Sequence, residues 1–246
     1  MTYKTIGVAG DHHFPFVDWV ADKLIKNLWL DIKVDKIILL GDFLDFWQIS
    51  KFAKNPDRIN TLQDDLDKAN DYLTELRDLF PKTDIIFITG NHEERLLKYL
   101  WQQAPELSPL RNCQFENLLD FKSLKIKFYP RANDVHREED LLFTHGTVVR
   151  QDSAMTARCM LKKYGMSVIM GHTHRLGSYY ETKMGGAMGA YENGCMCMPS
   201  LAKDWRMGFP NWQTGTSIVH IVKNRFQVHQ LPILKNKVFF GGRLYI

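Results

Sequence analysis

The sequence is short of cysteine and of long apolar runs, and both shortages narrow the classes of protein to which it could belong. Only four cysteines occur in 246 residues, at Cys113, Cys159, Cys195 and Cys197, so a disulfide-rich secreted scaffold is excluded. No apolar stretch approaches the ~20 residues that a membrane-spanning helix needs. The opening segment lacks the charged start and apolar run of a signal peptide. We therefore expect a cytoplasmic protein with reduced thiols and no membrane association.

A strong excess of either charge is missing as well. The 32 Lys and Arg residues against 28 Asp and Glu residues leave a formal net charge of +4. This mildly basic balance permits an anionic partner such as nucleic acid without requiring one. The hydrophobic share of 45% is ordinary for a soluble globular protein. A chain of this length suits one large domain, and we predict a single domain over residues 1–246.

The first half of the sequence alternates short apolar strands with amphipathic helices. Strands are predicted from Lys4 to Ala9, Lys36 to Leu40 and Asp84 to Thr89. Helices are predicted from Asp18 to Asp31, Leu62 to Phe80 and Glu93 to Trp101. Thr61 can cap the second helix and Pro81 ends it. This alternation predicts an α/β architecture with mostly parallel strands, whose carboxyl ends are where sites form.

The second half is richer in β-structure signals. Strands are predicted at Ile126 to Tyr129, Leu141 to Phe143, Ser167 to Met170, Thr216 to Val222 and Phe226 to Leu231. A helix is predicted from Ser153 to Tyr164, closed by Gly165. From Gly177 onward the pattern predicts a meander, and the regions around Pro56 and from Ala104 to Phe121 are predicted as loops or insertions beside a site.

Five short polar segments directly follow predicted strands. They are Asp11-His12-His13, Gly41-Asp42-Phe43-Leu44-Asp45, Gly90-Asn91-His92-Glu93, Thr144-His145-Gly146 and Gly171-His172-Thr173-His174. Carboxylate, amide and imidazole ligands together suit Mn, Fe, Zn or Ni, whereas an all-oxygen shell would suit Mg or Ca. Two such ions about 3.5–4 Å apart can clamp a phosphate and generate hydroxide at neutral pH. One motif alone would be weak, but five in this arrangement predict a binuclear metal centre.

These motifs resemble the pattern of the calcineurin-like metallophosphoesterase superfamily, which is D-x-H, G-D-x-x-D, G-N-H-[DE], a lone H, and G-H-x-H. The match runs from Asp11 to His174. The resemblance implies an α/β fold of two packed mixed β-sheets flanked by helices, a four-layer sandwich with its site at the upper edge of the sheets. It also implies a hydrolase that cleaves phosphoric ester bonds with a metal-bridging hydroxide.

The resemblance further implies a role for each motif residue. One metal would be held by Asp11, His13 and His174, the other by Asn91, His145 and His172, and Asp42 would bridge both. His92 would contact the substrate and protonate the leaving oxygen, while Asp45 would orient it. We expect two divalent transition-metal ions, manganese foremost, with iron, zinc and nickel as alternatives. His12, Cys195 and Cys197 receive no role, because two cysteines alone are an incomplete zinc site.

The residues around the motifs bear on the substrate. Protein phosphatases of this superfamily carry an arginine directly after the second motif, where Phe46-Trp47 stands here. A diester monoanion needs such charge less than a monoester dianion, although Arg95, Arg150 and Arg175 could supply it from elsewhere. Trp47 could stack on a base, worth roughly 1–3 kcal/mol. A later cluster of Trp205, Phe209 and Trp212 with Lys203 and Arg206 is interpreted either as a second base-stacking surface or as packing.

We therefore predict a phosphodiesterase that leans to a nuclease acting on DNA or RNA, with Arg95, Arg150 and Trp47 as substrate-binding residues. The alternative is a phosphomonoesterase acting on a nucleotide or a phosphoprotein. A non-catalytic binding scaffold is the third hypothesis, but it predicts eroded metal ligands, and all seven metal-binding positions match the pattern. The exact substrate and the oligomeric state stay open.

Overall fold

The structure, a computed structural model, describes residues 3–201, 208–223 and 225–246. Its strands are β1 (Lys4–Ala9), β2 (Lys36–Leu39), β3 (Asp84–Ile88), β4 (Ile126–Tyr129), β5 (His136–Glu138), β6 (Leu141–Thr144), β7 (Ser167–Met170), β8 (Leu176–Lys183), β9 (Gly186–Asn193), β10 (Gly215–Val222), β11 (Arg225–Pro232), β12 (Val238–Phe240) and β13 (Arg243–Tyr245). Its α-helices are α1 (Trp19–Ile32), α2 (Leu62–Leu79), α3 (Glu94–Gln103), α4 (Phe115–Leu118) and α5 (Met155–Tyr164). Single 3₁₀ turns occur at Trp47–Ile49, Pro105–Leu107 and Arg111–Cys113.

The two longest helices begin where side chains satisfy their first free amide groups. The Asp18 carboxylate accepts a hydrogen bond from the amide of Ala21 at 3.1 Å, which caps α1. Thr61 and Asp64 exchange side-chain and main-chain hydrogen bonds of 3.1 and 2.8 Å, a capping box that starts α2. In the part of the chain that the structure covers, none of the helices combines the length and apolar character that a membrane crossing requires.

The strands form two mixed sheets and a small hairpin. The first sheet has the order β11-β10-β1-β2-β3-β4, and the second has the order β5-β6-β7-β9-β8. Strands β1 to β4 are parallel, whereas β10 and β11 are antiparallel to their neighbours. In the second sheet β6, β7 and β9 are parallel, and β5 and β8 run antiparallel at its two edges. Within the described residues, strands β12 and β13 pair only with each other.

The hydrophobic core lies in three layers, which explains why the central strands are apolar on both faces. Ile37 and Leu39 of β2 pack under α1 and α2, while Ile38 between them packs in the interior between the sheets. The second sheet contributes Phe143 and Ile169 to that interior. Its other face is covered by α5, around a third cluster. The resulting order of helices, sheet, sheet and helix confirms the predicted four-layer α/β sandwich.

Two predictions from the sequence are wrong in part. The chain after Gly177 is not one meander, because β8 and β9 join the second sheet whereas β10 and β11 return to the first. The segment from Ala104 to Phe121 contains two 3₁₀ turns and α4, and Phe115 and Phe121 are buried against Phe87 with ring centroids 5.6 and 5.0 Å away. It is therefore packed structure and not an open loop. The predicted turn at Asn224 lies outside the described residues.

Candidate metal centre

All five motifs lie in loops at one edge of the sandwich. Three of them follow β1, β2 and β3 of the first sheet, and two follow β6 and β7 of the second. Within each sheet these strands are parallel neighbours, so their carboxyl ends meet at the same edge. Since the sheets pack face to face, the loops of both converge between them.

The backbone in these loops is strained at the functional positions. Asp11, His13, Asp42, His172 and His174 all have left-handed backbone conformations, with φ between 46° and 72°. Such conformations cost non-glycine residues roughly 1–3 kcal/mol each and persist only where the surroundings enforce them. Five residues that the sequence pattern singles out are thus held in backbone conformations that the surrounding loops enforce.

Two glycines of the motifs are required by close packing of the loops. A Cβ atom at Gly90 would collide with the main chain and carboxylate of Asp42, and one at Gly41 would collide with the main chain of Gly90. Gly41 also has a φ of 80°, which favours glycine. The contact brings the loops after β2 and β3 close enough for Asp42 and Asn91 to serve one site.

A first cluster of potential ligands contains Asp11, His13, Asp42 and His174, whose donor atoms all lie within 4.8 Å of one another. The Nε2 atoms of His13 and His174 are 2.9 Å apart. His174 Nε2 is 3.3 Å from Asp11 Oδ1, and His13 Nε2 is 3.9 Å from Asp42 Oδ2. All four side chains are buried. These are the residues predicted for the first metal, together with the predicted bridge.

A second cluster contains Asp42, His145 and His172. His145 Nε2 lies 3.3 Å from Asp42 Oδ2, 3.1 Å from His172 Nδ1 and 3.1 Å from Asn91 Oδ1. The other ring nitrogen of His145 is 2.7 Å from the carbonyl oxygen of Leu40, which fixes the orientation of the ring. Asp42 therefore belongs to both clusters, and Asn91 and His172, which are only partly buried, open the second one to solvent.

The charges in the two clusters are strongly coupled. Burial opposes ionisation of Asp42, but the charge of protonated His145 outweighs it and holds the pKa of the carboxyl well below its usual range. Burial likewise opposes protonation of His145, but Asp42 outweighs it and raises the pKa of the imidazole to about 9. Burial, then the nearby His145, lowers the pKa of His172 to about 4. Without metal, protons on selected histidines thus balance the buried carboxylates.

His92 stands beside both clusters in a tightly bonded arrangement. Its Nδ1 atom lies 2.8 Å from the carbonyl oxygen of Asp45 and 3.2 Å from the Asp45 carboxylate. Its Nε2 atom is 3.8 Å from Asp42 Oδ2 and accepts a hydrogen bond of 2.8 Å from the guanidinium of Arg95. Arg95 also donates to the Asp45 carbonyl at 2.7 Å. The structure therefore brings His92, Asp45 and Arg95 together.

Two further residues shape this edge and were missed by the sequence analysis. The carboxylate of Glu93 accepts hydrogen bonds of 2.7–3.1 Å from the amides of Gly90, Asp42, Phe43 and Leu44. It thereby ties the loop after β3 to the loop after β2. Arg58 donates to Asp45 Oδ2 at 2.8 Å. Glu93 was visible as the end of a motif, whereas nothing in the sequence around Arg58 marked it.

The remaining predicted residues fall in different places. Trp47 is half-buried beside Arg58, whose guanidinium carbon lies 5.2 Å from the ring centroid. Phe46 is a core residue that packs on Phe115. Arg150 is exposed, its main chain bonded to Thr156 and Arg175, with no contact to the histidines in the ranges that the structure covers. Of the predicted aromatic cluster, Lys203, Trp205 and Arg206 lie outside the described residues. Phe209 is exposed, and Trp212 packs against His174 with ring centroids 4.3 Å apart.

His12 belongs to the core and not to the metal clusters. Its ring is fully buried against Phe14, Phe43 and Tyr72, and burial lowers the pKa of the imidazole to about 3. Its nearest hydrogen-bonding neighbour is the hydroxyl of Tyr72, at 3.4 Å. A neutral, aromatic-packed histidine next to Asp11 is a structural residue, which accounts for the absence of a role for it in the motif pattern.

A comparison with known proteins agrees with this arrangement. The family profile of calcineurin-like phosphoesterases matches residues 4–176, a stretch that includes all five motifs. The chain belongs to the calcineurin-like phosphoesterase family. It is accordingly a metal-dependent hydrolase of phosphate esters, and membership of the family implies a dimetal centre.

Full-length relatives of this calcineurin-like phosphoesterase occur in bacteriophages. The Gene 54 proteins of Mycobacterium phage D29 and Mycobacterium phage L5 are each 28% identical to it over 254 aligned residues, covering 98% of both chains. Among solved structures, Vacuolar Protein Sorting 29 from Cryptosporidium parvum matches with a TM-score of 0.53 at 12% identity, over 97% of this chain and 96% of that one. The structural likeness shows the shared fold alone.

The donor chemistry of the two clusters fits the ions that the family implies. Each cluster joins carboxylate oxygen to imidazole nitrogen, with Asp42 common to both. This mixture suits borderline divalent transition metals better than magnesium or calcium. Among the described residues, Asp11 and Asp42 form no ion pair with lysine or arginine, so their buried charge is available to a cation.

Proposed function

We propose that this phosphoesterase is a phosphodiesterase that cleaves nucleic acid with two divalent ions. In this proposal Asp11, His13 and His174 hold one ion, and Asn91, His145 and His172 hold the other, with Asp42 bridging. When bound, two such ions neutralise phosphate charge and make water nucleophilic at neutral pH. Manganese is the proposed physiological ion, with iron, zinc and nickel as alternatives. The four unbridged cysteines favour a reducing, cytoplasmic setting.

His92 is the proposed proton donor to the leaving oxygen. Because arginine can only donate, the Nε2 atom of His92 accepts from Arg95 in this structure and carries no proton there. A proton can reside on Nε2 only after that contact opens. A substrate phosphate that draws the Arg95 guanidinium away would release Nε2, while Asp45 continues to hold Nδ1. The same movement of Arg95 would thus bind the substrate phosphate and allow His92 Nε2 to carry a proton.

The observation that carries the preference for nucleic acid is a cavity beside Asp45. It has a volume of about 250 Å³ and is lined by Pro15, Phe16, Trp47, Asn55, Asp57, Arg58 and Asn60. The Arg58 guanidinium lies 4.3 Å from the ring centroid of Phe16 and 5.2 Å from that of Trp47. Aromatic faces, amides and a guanidinium are the groups that contact a base. Arg58 in the cavity wall bonds to Asp45, which holds His92. In this proposal a base occupies the cavity while its phosphate reaches the ions.

A phosphomonoesterase is the second candidate, favoured by the two arginines at this edge. Arg58 and Arg95 both bond to Asp45, and Arg95 is within reach of His92. Their charge could replace that of the arginine that follows the second motif in protein phosphatases. A monoester dianion would benefit from this charge more than a diester monoanion.

A substrate panel separates the two candidates. Activity with manganese would be measured on a chromogenic diester, its matching monoester, single-stranded and duplex DNA, and RNA. The phosphodiesterase proposal expects the diester and a nucleic acid to be cleaved faster than the monoester. Trp47→Ala should weaken binding of a single-stranded oligonucleotide at every salt concentration by roughly 1–3 kcal/mol.

The matched control is Trp101→Ala, since Trp101 is an exposed tryptophan of α3 outside the cavity. It should bind the oligonucleotide like the unmodified protein. A preference for the monoester, with no oligonucleotide binding at low salt, would mean that the protein is a phosphomonoesterase.

A further inference from the structure

Two cysteines lie beside the first metal cluster, and the sequence pattern assigns them no role. Cys195 and Cys197 are buried, and each offers a sulfur within 4.8 Å of a ring nitrogen of His174 and of the other sulfur. His174 is also a member of the Asp11 cluster. Two thiols and an imidazole therefore form a thiol-containing group of potential ligands that shares one residue with the candidate metal centre.

The main chain around these cysteines is fixed on both sides. The Cys195 amide donates to the Gln213 carbonyl at 3.1 Å, and the Met196 amide donates to the carbonyls of Gly10 and Asp11 at 3.1 and 3.2 Å. The amide of Gln213 in turn donates to the carbonyl of His174 at 2.8 Å. The strand end that carries Asp11, the His174 loop and the cysteine segment thus form one hydrogen-bonded unit. Ligands held in this way need little reorganisation to bind an ion.

The distances suit a tetrahedral site after a small closing movement. Zinc–sulfur bonds of about 2.3 Å place two sulfurs roughly 3.8 Å apart in a tetrahedron. In this structure the two sulfurs lie within 4.8 Å of each other. Rotation of the cysteine side chains can bring them to the shorter distance that zinc requires. Thiolate and imidazole together select zinc-like ions, whereas the carboxylate-containing clusters accept manganese or iron as well. The thiol-containing group therefore differs from the carboxylate-containing clusters in the metal it prefers.

Hydrophobic packing is the competing explanation for buried cysteines, since free cysteine often behaves as a small apolar residue. Cys195 and Cys197 do pack against Leu201, with Phe16 and Trp212 at the margin. Packing alone does not require that both sulfurs reach the same histidine. Cys113 and Cys159, both partly buried, provide the contrast, because neither belongs to a group of potential ligands in the described ranges.

We propose that Cys195, Cys197 and His174 form a separate site for a thiophilic divalent ion of the zinc class. Binding displaces the thiol protons and creates two thiolate ligands. Because His174 is shared, an ion in this site competes with the Asp11 cluster for that imidazole. The site would make the enzyme sensitive to zinc under conditions in which manganese supports activity. Only this competition depends on the proposed function, since thiolate ligation can be measured without turnover.

Cobalt is the probe that distinguishes the sites. Metal-free, reduced protein would be titrated with Co²⁺ while the near-ultraviolet thiolate-to-cobalt charge-transfer absorption is recorded. We expect a band that saturates with one equivalent bound at the thiolate site, because oxygen and nitrogen ligands do not produce it. The double variant Cys195→Ser/Cys197→Ser should lose the band completely. The matched control Cys113→Ser/Cys159→Ser should retain it.

A second measurement does not depend on the folding of any variant. X-ray absorption of the unmodified protein with zinc should show a sulfur shell at about 2.3 Å. A shell of oxygen and nitrogen alone would overturn the proposal, as would a cobalt band that is missing or that depends on Cys113 and Cys159. Neither result would bear on phosphodiesterase activity, which the manganese-loaded enzyme reports separately.

Discussion

At the edge of the sandwich opposite the motif loops, the carboxylate of Glu138 lies between the ammonium groups of Lys4 and Lys36. Lys4 approaches Oε2 at 3.0 Å, Lys36 bonds to Oε1, and His136 Nε2 lies 2.9 Å from Oε1. His136 is in turn held by the hydroxyl of Tyr129 at 2.8 Å. Burial opposes ionisation of Glu138, but these partners outweigh it and hold the pKa of the carboxyl at about 2. This buried charge is neutralised entirely by the chain itself.

The motif edge also contains buried carboxylates and histidines, but its carboxylates have different charged partners. Its carboxylates Asp11 and Asp42 face histidines, which can surrender their protons, and no lysine or arginine pairs with them within the described ranges. Five of its motif residues have left-handed backbone conformations, and at the opposite edge Glu139, next to Glu138, also has a positive φ of 52°, so backbone strain does not distinguish the two edges. A buried carboxylate between lysines stabilises the fold, while one between histidines is prepared for a cation. The type of residue that pairs with a buried carboxylate, and not its degree of burial, determines whether the carboxylate stabilises the fold or binds a cation.

The largest expected effect is that of Asp42→Asn. Asp42 belongs to both ligand clusters, so the substitution should remove metal from both positions and reduce turnover by more than roughly 100-fold, the loss typical of residues that merely support a ligand. Metal content by mass spectrometry and hydrolysis of the diester are the measurements. Asp71→Asn, on the exposed face of α2, is the control. Normal metal content in Asp42→Asn would remove the bridging role.

His92→Asn should have the next largest effect, and its size should depend on the substrate. A proton donor matters most for a poor leaving group, so hydrolysis of an alkyl or nucleotide ester should fall by roughly 10²–10⁴-fold. An activated nitrophenyl ester should lose far less activity, and the metal content should be unchanged. Equal losses on both esters would mean that His92 positions the substrate without donating a proton. Loss of metal would mean that it is structural.

The local part of this architecture could be predicted from the sequence. The runs around Ile38 and Ile86 are apolar at every position because both faces of the strands are covered, and that pattern is legible without a structure. Thr61 marks the start of α2 through a cap that involves only neighbouring residues. The motif residues, including Asp42 and His145, meet because parallel strands end at one edge, which alternation of strands and helices already indicates.

Long-range pairing could not be predicted in the same way. The β8–β9 hairpin and the β10–β11 hairpin have similar local patterns, and only contacts with distant strands assign them to different sheets. Arg58 reaches Asp45 across 13 positions of irregular chain, which no periodicity reveals. Cys195 and Cys197 acquire their histidine from a segment about 20 residues away. Each of these features depends on tertiary contacts between segments whose sequences do not indicate that they will meet.

Glu138→Gln tests the opposite edge and should have a smaller effect, on stability instead of activity. The substitution leaves Lys36 with only the exposed carboxylate of Asp84, at 4.0 Å. Removal of this member of a buried charged cluster should lower the free energy of unfolding by about 3 kcal/mol. Denaturant unfolding with and without manganese is the measurement. The loss should be the same in both conditions, because the cluster lies far from the proposed ligands. Glu139→Gln, an exposed neighbour, is the control.

The smallest expected effect is a difference in the pH windows of the two edges in metal-free protein. The pKa of Glu138 is lowered from 4.5 to about 2, so its contribution is present above pH 4.5 and is lost as the pH falls through 2. The pKa of His145 is raised from 6.5 to about 9, so its contribution is complete below pH 6.5 and is lost as the pH rises through 9. These differences in pKa set an upper limit of about 3–4 kcal/mol on each contribution, and solvent screening lowers that of Glu138 further.

Unfolding free energies measured across this range should therefore fall at both ends, for separate reasons. Glu138→Gln should reduce only the acid-side loss, to which the lowered pKa values of Asp42 and His172 also contribute, and His145→Gln should reduce only the alkaline loss. Manganese should reverse the alkaline trend, because metal ligation requires neutral His145 and so becomes stronger as its proton is lost. Identical profiles with and without manganese would show that His145 does not bind the ion. The two edges would then differ only in the pH dependence of their stability. The proposed distinction between the self-neutralised Glu138 cluster and a cation-binding motif edge would be wrong.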